Sequence, residues 1–154
     1  MKIRPANPAD VEFMMELASA TETAAHWSQD QYLKLFSSDG PSQRLALVAE
    51  EGSSQTAYPL LGFVVAHGLS PDWELENIVV APAAQRRGVG KRLLDALFAA
   101  TRETNSDMVF LEVRESNCAA RRLYETVGFQ QQGRRKSYYS NPMEDAIIYR
   151  LGLR

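Results

Sequence analysis

Two stretches of this chain hold residue types that could do chemistry. The first is Gln85-Arg86-Arg87-Gly88-Val89-Gly90-Lys91, which follows the β-branched run Ile78-Val79-Val80 and precedes residues with helical periodicity. A strand that feeds a glycine-bearing turn into a helix N-terminus makes an anion site, because free backbone N–H groups and the helix dipole converge there. Gly88 and Gly90 let the backbone approach a ligand closely, and Arg86, Arg87 and Lys91 add the charge that a di- or polyphosphate would meet. The spacing is neither the G-x-x-x-x-G-K-[ST] of a P-loop nor the G-x-G-x-x-G of a dinucleotide fold.

The second stretch is Leu111-Glu112-Val113-Arg114-Glu115-Ser116-Asn117, with Arg121-Arg122-Leu123-Tyr124-Glu125-Thr126-Val127-Gly128-Phe129 behind it. Glu112 ends an apolar run, Met108 to Leu111, at the carboxyl end of a strand, where α/β folds place ligand crevices. A carboxylate there costs desolvation energy unless it is used or paired, and Arg114, Arg121 and Arg122 are the nearby cations. Asn117 reads as a helix N-cap, and Tyr124 lies seven residues on, two turns along nearly the same face. Spacing alone makes Tyr124 a core aromatic. Trp73-Glu74-Leu75-Glu76-Asn77 adds two carboxylates that strand alternation puts on one face.

Positioning these groups requires an α/β framework. Lys2-Ile3-Arg4 predicts a short strand, and Asn7 followed by Pro8 predicts a helix opening with Val11, Met14, Met15 and Ala18 as its apolar face. Ser28 to Gln31 is a capping box for a second helix. Strands are expected at 44–50 and 59–67, joined in a hairpin by the polar loop that begins at Glu51, and another at 73–80. A long helix over 88–103 buries Val89, Leu93, Leu94, Leu97 and Phe98. Met108 to Leu111 is apolar on both faces, as a central parallel strand is. A helix over 117–127 ends at Gly128, and an antiparallel pair at 129–137 and 144–151 completes the set.

Composition narrows the function classes. The 154 residues, 45% hydrophobic, suit one domain with a real core, expected to span 1–154. A net charge of −2 argues against wholesale nucleic-acid binding. No apolar window of about 18 residues suggests a membrane span, and structure is expected from Lys2 onward without a leader. The single Cys118 excludes an internal disulfide and, with only His26 and His67 beside it, suggests no metal site. Cys118 is expected to be a small buried residue at a helix start.

The loop at 85–91 fits Q/R-x-x-G-x-G/A, the pyrophosphate signature of the GCN5-related N-acetyltransferases. Leu-Glu-Val-Arg-x-Ser-Asn at 111–117 and Leu-Tyr-Glu-x-x-Gly-Phe at 123–129 resemble the RimI group of that superfamily, whose members acetylate the N-terminal alanine of a ribosomal protein. The likeness extends to Glu76 through Pro82, to Arg134 through Tyr139, and to Glu144 through Ile148, covering residues 73–150. Upstream, Trp27-Ser28 resembles the family's substrate loop, although His26 stands where a proline is common.

The resemblance implies a fold, a co-substrate and roles. The fold would be a mixed sheet of about seven strands splayed between strands four and five, with about four helices. Backbone groups of Ile78, Val79 and Val80 would pair with the pantetheine arm of acetyl-CoA, Gln85 through Lys91 would hold its pyrophosphate, and Asn117 would bond the pantetheine or order its helix. Glu112 resembles the family's general base and Tyr124 its general acid. Trp27, Glu76, Asn77, Tyr138 and Tyr139 would meet the acceptor, with the two tyrosines in the loop before the last strand. Some members of the superfamily take the base from the preceding strand, so Glu74 and Glu76 rival Glu112. The implied activity is N-terminal α-amine acetylation of a protein, in the cytoplasm, by a monomer or weak dimer that needs no metal. Two alternatives stand beside it: acetylation of a small amine, and a non-catalytic acyl-CoA-binding module.

Overall fold

The computed structural model describes residues 1–21, 24–37, 43–52 and 60–154. Four strands, β1 (Lys2–Pro5), β2 (Gln43–Glu50), β3 (Leu60–Gly68) and β4 (Trp73–Val80), pair antiparallel in sequence order. β5 (Met108–Arg114) runs parallel to β4, and β7 (Glu144–Gly152) pairs antiparallel with both β5 and β6 (Gln130–Tyr139). The result is one mixed sheet in the order β1-β2-β3-β4-β5-β7-β6. The β2–β3 pairing is the expected hairpin; most of its loop lies outside the described residues.

Four helices cover the sheet among the described residues: α1 (Val11–Ser19), α2 (Gln29–Leu33), α3 (Val89–Arg102) and α4 (Cys118–Thr126). On one face α3 buries Val89, Leu93, Leu94, Leu97 and Phe98 against Leu47, Val64, Leu75, Val109 and Leu111. On the other face Val11, Met14, Leu17 and Tyr32 pack on Val48, Phe63, Val65 and Val79. The Ser28–Gln31 box caps α2, with the Gln31 N–H donating to Ser28 Oγ at 3.2 Å and the Ser28 N–H to Gln31 Oε1 at 2.8 Å. Asn7 caps a 3₁₀ turn, Pro8–Asp10, that leads into α1 rather than opening α1 itself. The turn is tightened by Asp10, whose carboxylate accepts from the Asn7 N–H at 2.9 Å and from both terminal nitrogens of Arg4 at 2.8 and 2.9 Å.

What positions the site is an irregularity in β4. Leu75 pairs with Ala66 and Asn77 with the adjacent Val65, so Glu76 is an extra residue bulged out of register. A bulge bends its strand and increases the local twist. β4 stays paired with β3 as far as Val80, yet it meets β5 only at Trp73–Val109 and Glu74–Phe110. β5 meanwhile runs on against β7 to Arg114. Beyond Glu74 the two central strands therefore part in a V, leaving the β4 edge from Leu75 to Val80 without a strand partner among the described residues. The bulge also changes which residues face which way. Trp73 and Leu75 point toward α3, but after Glu76 it is Ile78 and Val80 that do so, while Val79 joins the α1 face.

Candidate active site

The V is bordered on one side by the start of α3. Gly88, the residue before α3, has φ +79° and no side-chain cap, so the first N–H groups of the helix have no acceptor supplied from its own cap. Arg86 also adopts a left-handed conformation, φ 65°. Gln85, Arg86, Arg87, Gly88 and Lys91 are exposed, and Gln85 Nε2 donates to Val80 O at 3.5 Å, tying the loop to the free edge of β4. Arg87 reaches Glu51 at 3.4 Å, and Lys91 pairs with Asp95 at 2.8 Å. The arrangement suits a polyphosphate, with open backbone donors at a helix start and exposed cations around them.

The two glycines play different parts. A side chain on Gly88 would meet nothing within 4 Å, so its role is the left-handed backbone. Gly90 is buried, and a Cβ there would stand 2.9 Å from Leu123 Cδ2. The missing side chain at Gly90 thus lets α4 pack against the start of α3. Val89 likewise turns its side chain into the core and offers only main-chain groups.

Glu112 and Tyr124 flank the V from opposite faces of the sheet. Leu111 and Val113 belong to the α3-side core, so alternation sends Glu112 to the α1 side. Tyr124, on α4, lies in the α3-side core at 5% exposure, its ring 5.6 Å from Phe129 and 6.2 Å from Tyr149. Burial, and to a lesser degree the neighbouring Tyr139, lift the Tyr124 phenol well above its ordinary pKa. Such a phenol keeps its proton at neutral and mildly alkaline pH and is available as a donor.

Glu112 is ion-paired, but not to any of the three arginines expected from sequence proximity. Its partner is Arg135, Nε to Oε1 at 2.8 Å. Arg121 instead bonds Tyr149 and the Glu115 carbonyl, and Arg114 reaches Glu144 at 3.2 Å. The sequence signal missed Arg135 because it lies on β6, two strands across the sheet from Glu112. Tyr138 and Tyr139, expected in a loop, are the last residues of β6. The Glu112 carboxylate, first by hydrogen bonding and then by its charge, raises the Tyr138 phenol. Burial first, then Glu112, push Tyr139 up to about 12, and the Arg114 guanidinium lies 4.4 Å over its ring.

Of the remaining expected residues, Glu76, Asn77 and Trp27 fall on the same face as Glu112, and Asn117 begins α4. Glu76 binds Arg44 Nε at 3.1 Å. Asn77 is 5% exposed, and its Nδ2 has no hydrogen-bond partner among the described residues. Trp27 packs on Tyr32 at 5.4 Å between ring centres, which makes it part of the α1-side core. Asn117 spends its Oδ1 on the Ala120 N–H at 3.2 Å, the helix-ordering half of its two expected roles. Cys118 does begin α4, but it is exposed, because the first turn of α4 faces outward.

Known proteins resemble this chain in sequence and fold. The profile of the Acetyltransferase (GNAT) family matches residues 11–129. The chain is 34% identical over 153 residues to N-alpha-acetyltransferase RimI of Mycobacterium tuberculosis, covering 92% of this chain and 94% of the relative. It is 33% identical over 135 residues to the [ribosomal protein bS18]-alanine N-acetyltransferase of Escherichia coli K12, covering 84% and 85% respectively. The crystal structure of the ribosomal-protein-S18-alanine N-acetyltransferase from Escherichia coli superposes with a TM-score of 0.81 at 27% identity, covering 99% of this chain and 93% of that one.

Proposed function

The chain belongs to the acetyltransferase (GNAT) family, and from that premise we propose that it acetylates the N-terminal α-amine of a protein, with the N-terminal alanine of a ribosomal protein as its target. As a family member it is an N-acetyltransferase with acetyl-CoA as co-substrate. The target reading rests on the relatives' names. The observation that carries the chemistry is the V between β4 and β5, with Glu112 on one face and Tyr124 on the other. A pantetheine arm fits that gap as an added strand along Ile78 to Val80, with its pyrophosphate at residues 85–91.

Direct transfer then follows from the side chains. Glu112 accepts a proton from the incoming ammonium, through water where the geometry requires it. The amine nitrogen bonds to the acetyl carbon as the carbon–sulfur bond breaks, and Tyr124 donates its proton to the departing thiolate. An α-amine has a pKa of about 7.7–8.0, so the base has little work to do near neutral pH. Tyr138 and Tyr139 wall the acceptor side beside Glu112.

The test is a thiol-release assay with hexapeptides of different first residues, alongside small amines, with products mapped by mass spectrometry. Peptides that begin with alanine should be acetylated on the α-amine, and blocking that amine should abolish turnover even when a lysine is present. Activity confined to small amines, or preferential lysine acetylation, refutes the proposal.

A further inference from the structure

The cleft face of the sheet carries an unbalanced set of charges. Among the described residues, three guanidinium–carboxylate pairs surround the V on that face: Arg44–Glu76 at 3.1 Å, Arg135–Glu112 at 2.8 Å and Arg114–Glu144 at 3.2 Å. Glu74 is left over, with neither an ion pair nor a hydrogen bond among the described residues. The groups that face it are His67, its register partner on β3; Glu76 on its own strand; Arg44 from β2; Glu112 from β5; and Arg135 and Tyr138 from β6. Both arginines in that list are already engaged by other carboxylates. Half-buried, and repelled by Glu76 and Glu112, the Glu74 carboxyl is raised above its ordinary pKa by burial first and those charges second. A carboxylate held this way costs the empty protein stability that a cationic ligand would return.

Its position is as telling as its charge. Glu74 is the last β4 residue paired with β5, so it sits at the vertex of the V, with Glu76 a step along one arm and Glu112 a step along the other. The bulge at Glu76 then turns Asn77 onto this same face, where its amide donor is buried and unmet. An unmet anion and, three residues on, an unmet amide donor complement an ammonium followed by a carbonyl oxygen. That is what the first residue of a peptide presents, and what a simple alkylamine lacks.

We infer that Glu74 is the seat of the acceptor's α-ammonium and that Asn77 donates to the first peptide carbonyl behind it, which makes the pair specificity-determining residues for peptide N-termini. The inference rests on the proposed activity, with Glu112 as the proton-accepting group. Glu74 holds the charged amine in the ground state, and Glu112 accepts its proton on the way to transfer.

The test uses non-reacting complexes. Enzyme saturated with CoA is titrated at pH 7 with an alanine-initiated hexapeptide and with the same peptide bearing a hydroxyl in place of the α-amine, followed by calorimetry. Wild type should bind the amine form at least tenfold more tightly than the hydroxy form. Glu74→Gln should bring that ratio to within twofold, and Glu74→Asp should keep most of it. Asn77→Ala should weaken both peptides alike and leave the ratio standing. In turnover, the Glu74→Gln loss should fall on KM for the peptide; a loss confined to kcat, or an unchanged binding ratio, overturns the inference. Because the substitution removes an uncompensated charge, Glu74→Gln should melt at or above wild type, and a melting point well below it also overturns the inference. Wild type that shows the binding ratio but transfers no acetyl group keeps the ammonium seat and refutes the activity; transfer without the ratio does the reverse.

Discussion

Replacing Tyr124 with phenylalanine isolates one proton. The ring is 5% exposed and packs on Phe129 and Tyr149 through its carbon framework, and phenylalanine keeps both contacts. The hydroxyl has no hydrogen-bond partner among the described residues, so its removal breaks none. Stability should therefore change by no more than about 0.5 kcal/mol, a shift of about 2 °C or less in Tm for a chain of this size. Acetyl-CoA affinity should hold within about twofold, since residues 85–91 are untouched. Turnover should not hold. General acid–base groups contribute about 10²–10⁴-fold, and at about 1.4 kcal/mol per tenfold that is about 3–5 kcal/mol of transition-state stabilisation. The expected result is a fall of kcat in that range in a thiol-release assay, with calorimetric binding and melting curves near wild type. Since burial holds the phenol's pKa well above its ordinary value, the wild-type rate should also show no loss from Tyr124 ionisation between pH 6 and 9. A Tyr124→Phe enzyme with kcat within threefold of wild type would falsify the role of Tyr124 as acid.

Two further outcomes follow from other parts of the molecule. Reversing charge at Arg86 and Arg87 together should weaken acetyl-CoA binding by at least about tenfold, or about 1.4 kcal/mol, without unfolding the exposed loop; unchanged affinity by calorimetry removes the pyrophosphate from this loop. Asp10→Asn should destabilise the protein by about 2 kcal/mol at pH 7, because a largely buried carboxylate loses its charge while Arg4 and the Asn7 N–H still face it. Burial raises the Asp10 carboxyl, but the Arg4 and Asn7 bonds together outweigh it, so the net shift is downward from the usual 3.8. A depressed carboxylate stabilises the fold above its unfolded pKa and loses that contribution as pH falls through the folded value. Melting curves of wild type and Asp10→Asn should thus converge below about pH 4; a gap that stays constant from pH 7 down to pH 3 contradicts the assignment.

The local signals in the sequence were strong where a short stretch settles its own conformation. Ser28 and Gln31 cap each other, so the box was readable without any tertiary context. The periodicity from Val89 to Phe98 named the buried stripe of α3, and the glycine-bearing run at 85–91 named a helix start. The motifs around Glu112 and Tyr124 pointed to the family that the profile match shows. Local reading failed where the controlling partner is distant or the backbone breaks its period. It offered Arg114, Arg121 and Arg122 to Glu112, whereas Arg135 arrives through the β5-β7-β6 order, and it placed Tyr138 and Tyr139 in a loop although they complete β6. It also buried Cys118, which is exposed.

By itself the sequence determined most of the elements, the stripes that form the core, and the two short stretches that hold the candidate site residues, because each depends on neighbours within a few turns of chain. Only the tertiary structure decided how those residues meet. The bulge at Glu76 lies where β4 parts from β5 and turns Asn77 onto the cleft face, while alternation along β5 and the packing of α4 put Glu112 and Tyr124 on opposite sides of the gap. Among the described residues, the sheet order brings arginines to Glu76, Glu112 and Glu144 around the V and leaves Glu74 at the vertex without an ion pair. Register and long-range charge pairing are properties of strands brought together from distant parts of the chain, and no local pattern encodes them.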